Sequence, residues 1–161
     1  RSFAGTAIER AWLNGKRMAA MNSVDLFGTR RIYDNPAVNF IYIGDAAPDR
    51  DSVTGAIRNC HTIATCGFTE ADITCNGAIP GSVIARQDEF TVRITAEILD
   101  ENIREVRIYA DDKVILCAQH DAKRIDCEYK VNAADASCFI RVEVSGCTLE
   151  RIAICTPFFF D

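Results

Sequence analysis

Eight cysteines and two histidines carry most of the reactive chemistry in this chain. The cysteines are Cys60, Cys66, Cys75, Cys117, Cys127, Cys138, Cys147 and Cys155; the histidines are His61 and His120. Such a set is open to thiol catalysis, metal binding or disulfide cross-linking. Cys60 and His61 stand side by side as a nucleophile and base would. Adjacent residues on a strand face opposite sides of the sheet, however, so the pair is not expected to converge. Zinc centres draw thiolates from closely spaced pairs, and no C-x-x-C occurs. His61 beside Cys66 is therefore a poor metal pair. His120 lies in the polar stretch 119–123, which reads as a solvated turn. An even cysteine count suits a disulfide framework, but eight in 161 residues is sparse for one, and a chain this long can bury a core without staples.

The phase of the cysteines points elsewhere. Cys127 alternates with Ile125, Tyr129 and Val131; Cys138 alternates with Ile140, Val142 and Val144; Cys75 shares the phase of Ile73. A cysteine on the apolar face of a strand acts as a small buried hydrophobe. Most of the thiols are expected to be core, which implies a reducing compartment, the cytoplasm.

The elements that hold these residues change character along the chain. Ala4, Ala7, Ile8, Ala11 and Trp12 have helical spacing, with Gly15 as the stop. Arg17–Val24 reads as a short strand and 28–36 as a loop. Phe40–Ile43 is a strand ended by Gly44. A helix follows from Ser52 to about Asn59, capped by Asp51 or Ser52, then a strand from His61 to Thr65 closed by Gly67. Beyond Glu70 the period becomes two: Thr91–Ile98, Val106–Ala110 turning at 111–113 into Val114–Cys117, Lys123–Val131, Ser137–Val144 and Leu149–Phe160. Strands at this spacing, apolar on one side, predict an antiparallel β-sandwich. The expected fold class is α+β: a partial α/β segment over residues 1–68, then an Ig-like β-sandwich over 69–161. One or two strands and two short helices cannot enclose a core. The first segment must pack on the sandwich, on a second copy of the chain as a homodimer, or on a domain preceding Arg1.

Composition excludes several partners. The net charge of -5 lacks the basic footprint of a nucleic-acid binder. No apolar run has the length of a membrane span, and no signal peptide is visible in these residues.

Several short motifs stand in a fixed order. A helix ends in Leu13-Asn14-Gly15, followed by Met21-Asn22-Ser23-Val24-Asp25-Leu26-Phe27-Gly28 and a strand from Asn39 to Gly44. The helix Val53-Thr54-Gly55-Ala56-Ile57-Arg58-Asn59-Cys60-His61-Thr62 comes next. Then come Cys75-Asn76-Gly77-Ala78-Ile79-Pro80-Gly81 and a closing Ile152–Phe160 segment. The order resembles the C-terminal part of the PHP (polymerase and histidinol phosphatase) family of metal-dependent phosphoesterases, in the branch with a β-sandwich tail. In that branch a Ser-Asp-x-His-Gly motif precedes a strand. A helix ending in Gly-Arg-Thr, an Asn-Gly-x-x-Pro-Gly turn and an Asn-Pro-Ile-type closing strand follow. The resemblance spans nearly the whole chain.

The departures fall on the metal site. Asp25 matches the family's metal-binding Asp and Gly28 its Gly, but Phe27 replaces the histidine ligand and has no lone pair to give. His61 takes the place of the Arg in Gly-Arg-Thr, which is not a ligand position. The resemblance implies Zn, Mn or Fe only in a complete member, whose His-x-His pair and other ligands come from earlier barrel strands. The expectation is an accessory region that is not itself catalytic, with Asp25 as its sole candidate ligand. The alternative is an Ig-like ligand- or protein-binding module, for which Tyr109, out of phase with the apolar face of its strand, is the aromatic candidate. A thiol enzyme built on Cys60 or Cys66 is the remaining reading. The Asn76–Gly81 stretch is expected to be a structural corner, and Phe158–Phe160 a buried strand.

Overall fold

The computed structural model describes residues 7–22, 37–148 and 151–161. Asp25, Phe27 and the 28–36 loop lie outside the described residues. The first helix, α1 (Ala7–Leu13), turns its Trp12 into full burial. It stops where the glycine predicts. Gly15 takes φ 73, its N–H bonds to the carbonyl of Trp12, and the N–H of Lys16 bonds to that of Ala11. This paired closure satisfies carbonyls that the end of a helix would leave open. Residues 17–22 then run without forming the expected strand.

Eleven strands follow among the described residues: β1 (Ala37–Ile41), β2 (Thr62–Cys66), β3 (Phe68–Cys75), β4 (Val83–Ile84), β5 (Glu89–Ile98), β6 (Ile103–Ala110), β7 (Lys113–Ala122), β8 (Arg124–Asn132), β9 (Phe139–Gly146), β10 (Ile152–Cys155) and β11 (Phe158–Phe160). The segment expected as one final strand is two, because Thr156 and Pro157 interrupt it. Helix α2 (Arg50–Arg58) lies between β1 and β2 and begins earlier than expected. Its cap is Asp49, whose carboxylate accepts from the N–H groups of Asp51 and Ser52, while the Ser52 hydroxyl answers the N–H of Asp49. That reciprocal pair satisfies two helix donors at once, which Asp51 or Ser52 alone cannot.

The chain is mostly β, with two antiparallel sheets and two short helices, an arrangement compatible with a β-sandwich. In the larger sheet β7, β6, β9, β10, β2 and β1 lie side by side. Past β10, the same edge of β9 pairs with β11, which pairs in parallel with β4. The smaller sheet is β3-β5-β8. Between them lies one core: Val106, Ile108, Ile140, Val142 and Val144 from the larger sheet against Ile73, Val92, Ile94, Ile98 and Ile125 from the smaller. The period-two alternation places these residues, since every second side chain of a half-buried strand must face inward. The outer face of the smaller sheet is a solvated ladder of ion pairs, Arg93–Glu128 at 2.6 Å and Arg124–Glu70 among them. Phe158 and Phe159 are buried as expected.

Strands β1 and β2, from the segment expected to be incomplete by itself, are hydrogen-bonded into the larger sheet through β10, with Ile152 opposite Cys66 and Cys155 opposite Ile63. The seam is fastened by hydroxyls: Thr62 and Thr156 lie 2.9 Å apart, and both bond to the backbone of Ala20.

The Asn76–Gly81 stretch is a corner. Asn76 (φ 49) and Gly77 (φ 79) make a tight turn closed between Cys75 and Ala78. That handedness suits Asn-Gly. At Gly81 (φ 82) a side chain would meet the Cys60 carbonyl oxygen at 2.3 Å, so only glycine lets the corner sit against the end of α2.

Candidate functional site

The cysteines do not converge into a reactive centre. All eight are free: Cys60, Cys75 and Cys155 are buried, Cys66, Cys127 and Cys138 half-buried, and Cys117 and Cys147 exposed. Burial pushes the Cys75 thiol up to about 12, and that of Cys155 equally, despite a hydrogen bond from the N–H of Val142 to the latter. Burial also raises Cys60. A raised thiol holds little thiolate, the form that attacks or binds metal.

Cys60 and His61 are not consecutive strand residues. Cys60 follows α2 with φ 67, its N–H bonded to Ile57 and that of His61 to Ala56, the same closure as at Gly15. The His61 ring nitrogen Nδ1 lies 2.8 Å from the carbonyl oxygen of Pro80. His120 is not in a turn. It lies on β7, and its Nε2 is 2.6 Å from the hydroxyl of Tyr129 on β8. Among the described residues no three His, Cys, Asp or Glu side chains gather as metal ligands would.

The polar chemistry gathers instead on the outer face of the larger sheet. Alternation on β9 sends Arg141, Glu143 and Ser145 to this side, and β6 sends Tyr109, Arg107 and Glu105 opposite them. Helix α1 folds over one end, packing Trp12 edge-on to Phe139 with ring centroids 6.2 Å apart. Beneath it Arg141 is fully buried. One guanidinium nitrogen lies 3.1 Å from Glu9 of α1 and another bonds to Glu143. Its guanidinium carbon sits 4.1 Å from the centroid of the Tyr109 ring. The Tyr109 hydroxyl donates to the second Glu143 oxygen at 3.0 Å. Burial, then the Glu143 charge, holds this phenol above its ordinary range. Tyr109 is 2% exposed, so it is no platform for a sugar ring. Its side chain points away from the core, as the alternation implies, but the Arg141 guanidinium lies over its ring.

Farther along, the ladder meets solvent. Glu105 accepts from Arg107 at 2.5 Å, from Gln119 at 2.8 Å and from the Cys117 thiol at 3.2 Å. Burial raises the Glu105 carboxyl, but those bonds and the Arg107 charge outweigh it and hold the group below the usual carboxylate range. Beside it opens a cleft of about 320 Å³, lined by Arg104, Glu105, Arg107, Glu143, Ser145 and Arg151 among others. Arg151 is tied to Asp100 at 2.6 Å. Here the exposed Cys117 thiol stands against the Glu105 carboxylate, and the arginines present donors to the cleft.

Sequence reasoning treated the outward residues of β6 and β9 as a wet face. The signal that could have found them is the run Arg141, Glu143 two apart on a strand with Arg107, Tyr109 likewise two apart on another, a pattern that pairs across a ladder. Comparison with known proteins returns nothing: no family model, curated protein or solved structure matches the chain.

Proposed function

We propose that this chain is the C-terminal accessory region of a PHP-like metal-dependent phosphoesterase, and that it does not itself catalyse. The observation that carries the reading is the conformation of Cys60. When His61 is set on the Arg of the Gly-Arg-Thr motif, Cys60 falls on its glycine. There the backbone takes φ 67, a conformation glycine adopts freely and cysteine rarely does. Two further motifs of the resemblance meet this point in space. Gly81 of the Asn76–Gly81 corner lies against the carbonyl of Cys60, and its N–H bonds to the carbonyl of Pro157 in the closing segment at 3.1 Å.

In such an enzyme the barrel would hold Zn, Mn or Fe, which would supply an activated water for attack on the phosphoester. With Phe27 at the histidine position, Asp25 of this chain makes at most one ligand. The sandwich would brace the last barrel elements, in a cytoplasmic protein without nucleic-acid or membrane contacts. A second reading, an Ig-like ligand-binding module, draws on the outward cleft of the larger sheet.

The test is hydrolysis of an aryl phosphate by the purified chain with Mn or Zn, together with the intact mass of the protein isolated from its source. The reading expects no turnover by the chain and a mass well above 17.8 kDa. Metal-dependent turnover that Asp25→Ala abolishes would overturn it, as would a natural protein with no barrel attached.

A further inference from the structure

We propose that the cleft on the outer face of the larger sheet binds a small oxyanion, the phosphate or carboxylate group of a metabolite. This does not rest on the phosphoesterase reading. It begins from an irregularity in β6. Ile103 pairs with Gly146 and Glu105 with Ser145, so Arg104 is an extra residue on its strand. A bulge of this kind re-aims a side chain, and here Arg104 and Glu105 both line the opening although they are consecutive.

The choice of ligand comes from counting which groups are already engaged. Glu143 gives one oxygen to Arg141 and the other to the Tyr109 hydroxyl. Glu105 is taken by Arg107, Gln119 and Cys117. Asp100 holds Arg151, and Glu101 accepts from the N–H and hydroxyl of Thr148. Each acid around the cleft is thus matched before any ligand arrives. Donors are left over. Arg104 is exposed and makes no ion pair with any described residue, and Ser145 brings a hydroxyl to the lining, whereas Arg107 is bonded to Glu105 through Nε and also to Tyr109 and Cys117. A cation or a neutral polyol would need acceptors that are already committed. An oxyanion offers acceptors alone, and guanidinium forks bind it with charge-assisted bonds. A cleft of about 320 Å³ suits a small ligand.

The experiment is a titration of the chain followed by amide and arginine side-chain NMR at constant ionic strength. Inorganic phosphate, phenyl phosphate and succinate are the probes, and their ranking separates a phosphate from a carboxylate source. At least one should give saturable shifts confined to β6, β9 and residues 147–148 and 151. Arg104→Gln should weaken binding by roughly tenfold or more, as loss of a charged hydrogen bond does. Ser145→Ala should weaken it less. Arg93→Gln, on the opposite sheet, should leave it unchanged. Absence of saturable shifts with all three probes would overturn the proposal, and so would equal weakening by Arg93→Gln and Arg104→Gln.

Discussion

Replacing Arg141 with methionine removes a fully buried guanidinium while keeping an unbranched apolar stem in its place. The loss is not one interaction. Glu9 and Glu143, which are 2% and 4% exposed, both direct an oxygen at Arg141, and the Tyr109 ring lies under it. Deleting one partner of a buried ion pair costs about 3–5 kcal/mol, because the partner stays behind uncompensated. Here two carboxylates lose the same cation, so Arg141→Met belongs at the upper end, about 4–5 kcal/mol. At roughly 2–4 °C per kcal/mol for a domain of this size, the melting temperature should fall by about 8–20 °C. Denaturant unfolding of the two proteins checks this.

A rescue series is a second readout. Adding Glu9→Gln and Glu143→Gln to Arg141→Met should recover part of the loss, since a neutral buried cluster no longer carries orphaned charge. A deficit under about 1 kcal/mol, or no recovery in the triple variant, would refute the view that Arg141 holds α1 to the sheet.

Cys60→Gly should be at least about 1 kcal/mol more stable than Cys60→Ala, the reverse of an ordinary buried site, because φ 67 penalises any Cβ; equilibrium unfolding of both variants compares them. Native alkylation followed by mass spectrometry should modify Cys117 and Cys147 quickly and leave Cys60, Cys75 and Cys155 for the unfolded chain; fast labelling of Cys75 would contradict its burial. Asp111 accepts from the N–H groups of Ser137, Cys138 and Phe139 and from the Ser137 hydroxyl, at 2.7–3.0 Å. Burial raises its carboxyl, but those bonds outweigh it and hold the group below the usual range. A depressed folded pKa stabilises above the unfolded value and fades as pH falls through the folded one. Asp111→Asn, which tolerates φ 54 at this position, should cost about 1.5–3 kcal/mol near neutral pH, and the gap should narrow in acid.

The strands from Glu89 onward were legible because their two faces differ: Val92, Ile94, Ala96 and Ile98 are buried while Thr91 and Arg93 are not. Legibility fails where a face is neither wet nor dry. On β7 the residues Leu116, Ala118 and His120 face a half-open seam toward β8, so the polar end of that strand resembled a turn. The Asp49 cap was missed because its signal is the reciprocal pair with Ser52 and not a single residue type. Outward orientation of Tyr109 and Arg141 could be read from phase. Their burial could not, because Glu9, which bonds Arg141, lies far away in the chain and nothing local announces the contact. The open cleft has the same origin: it lies where α1 no longer covers the face.

The pairing of β2 with β10 also has a temporal side. β2 ends at Cys66 and β10 begins at Ile152, so during synthesis β2 must wait for most of the chain to emerge before that flank is matched. Until then its unsatisfied amides present a template to any passing strand. Thr62 and Thr65, fully buried in the finished fold, leave this nascent edge partly polar and so less adhesive than a run of aliphatics. Synthesis of the residues between these two strands is therefore a stage at which this edge is open to pairing with another chain.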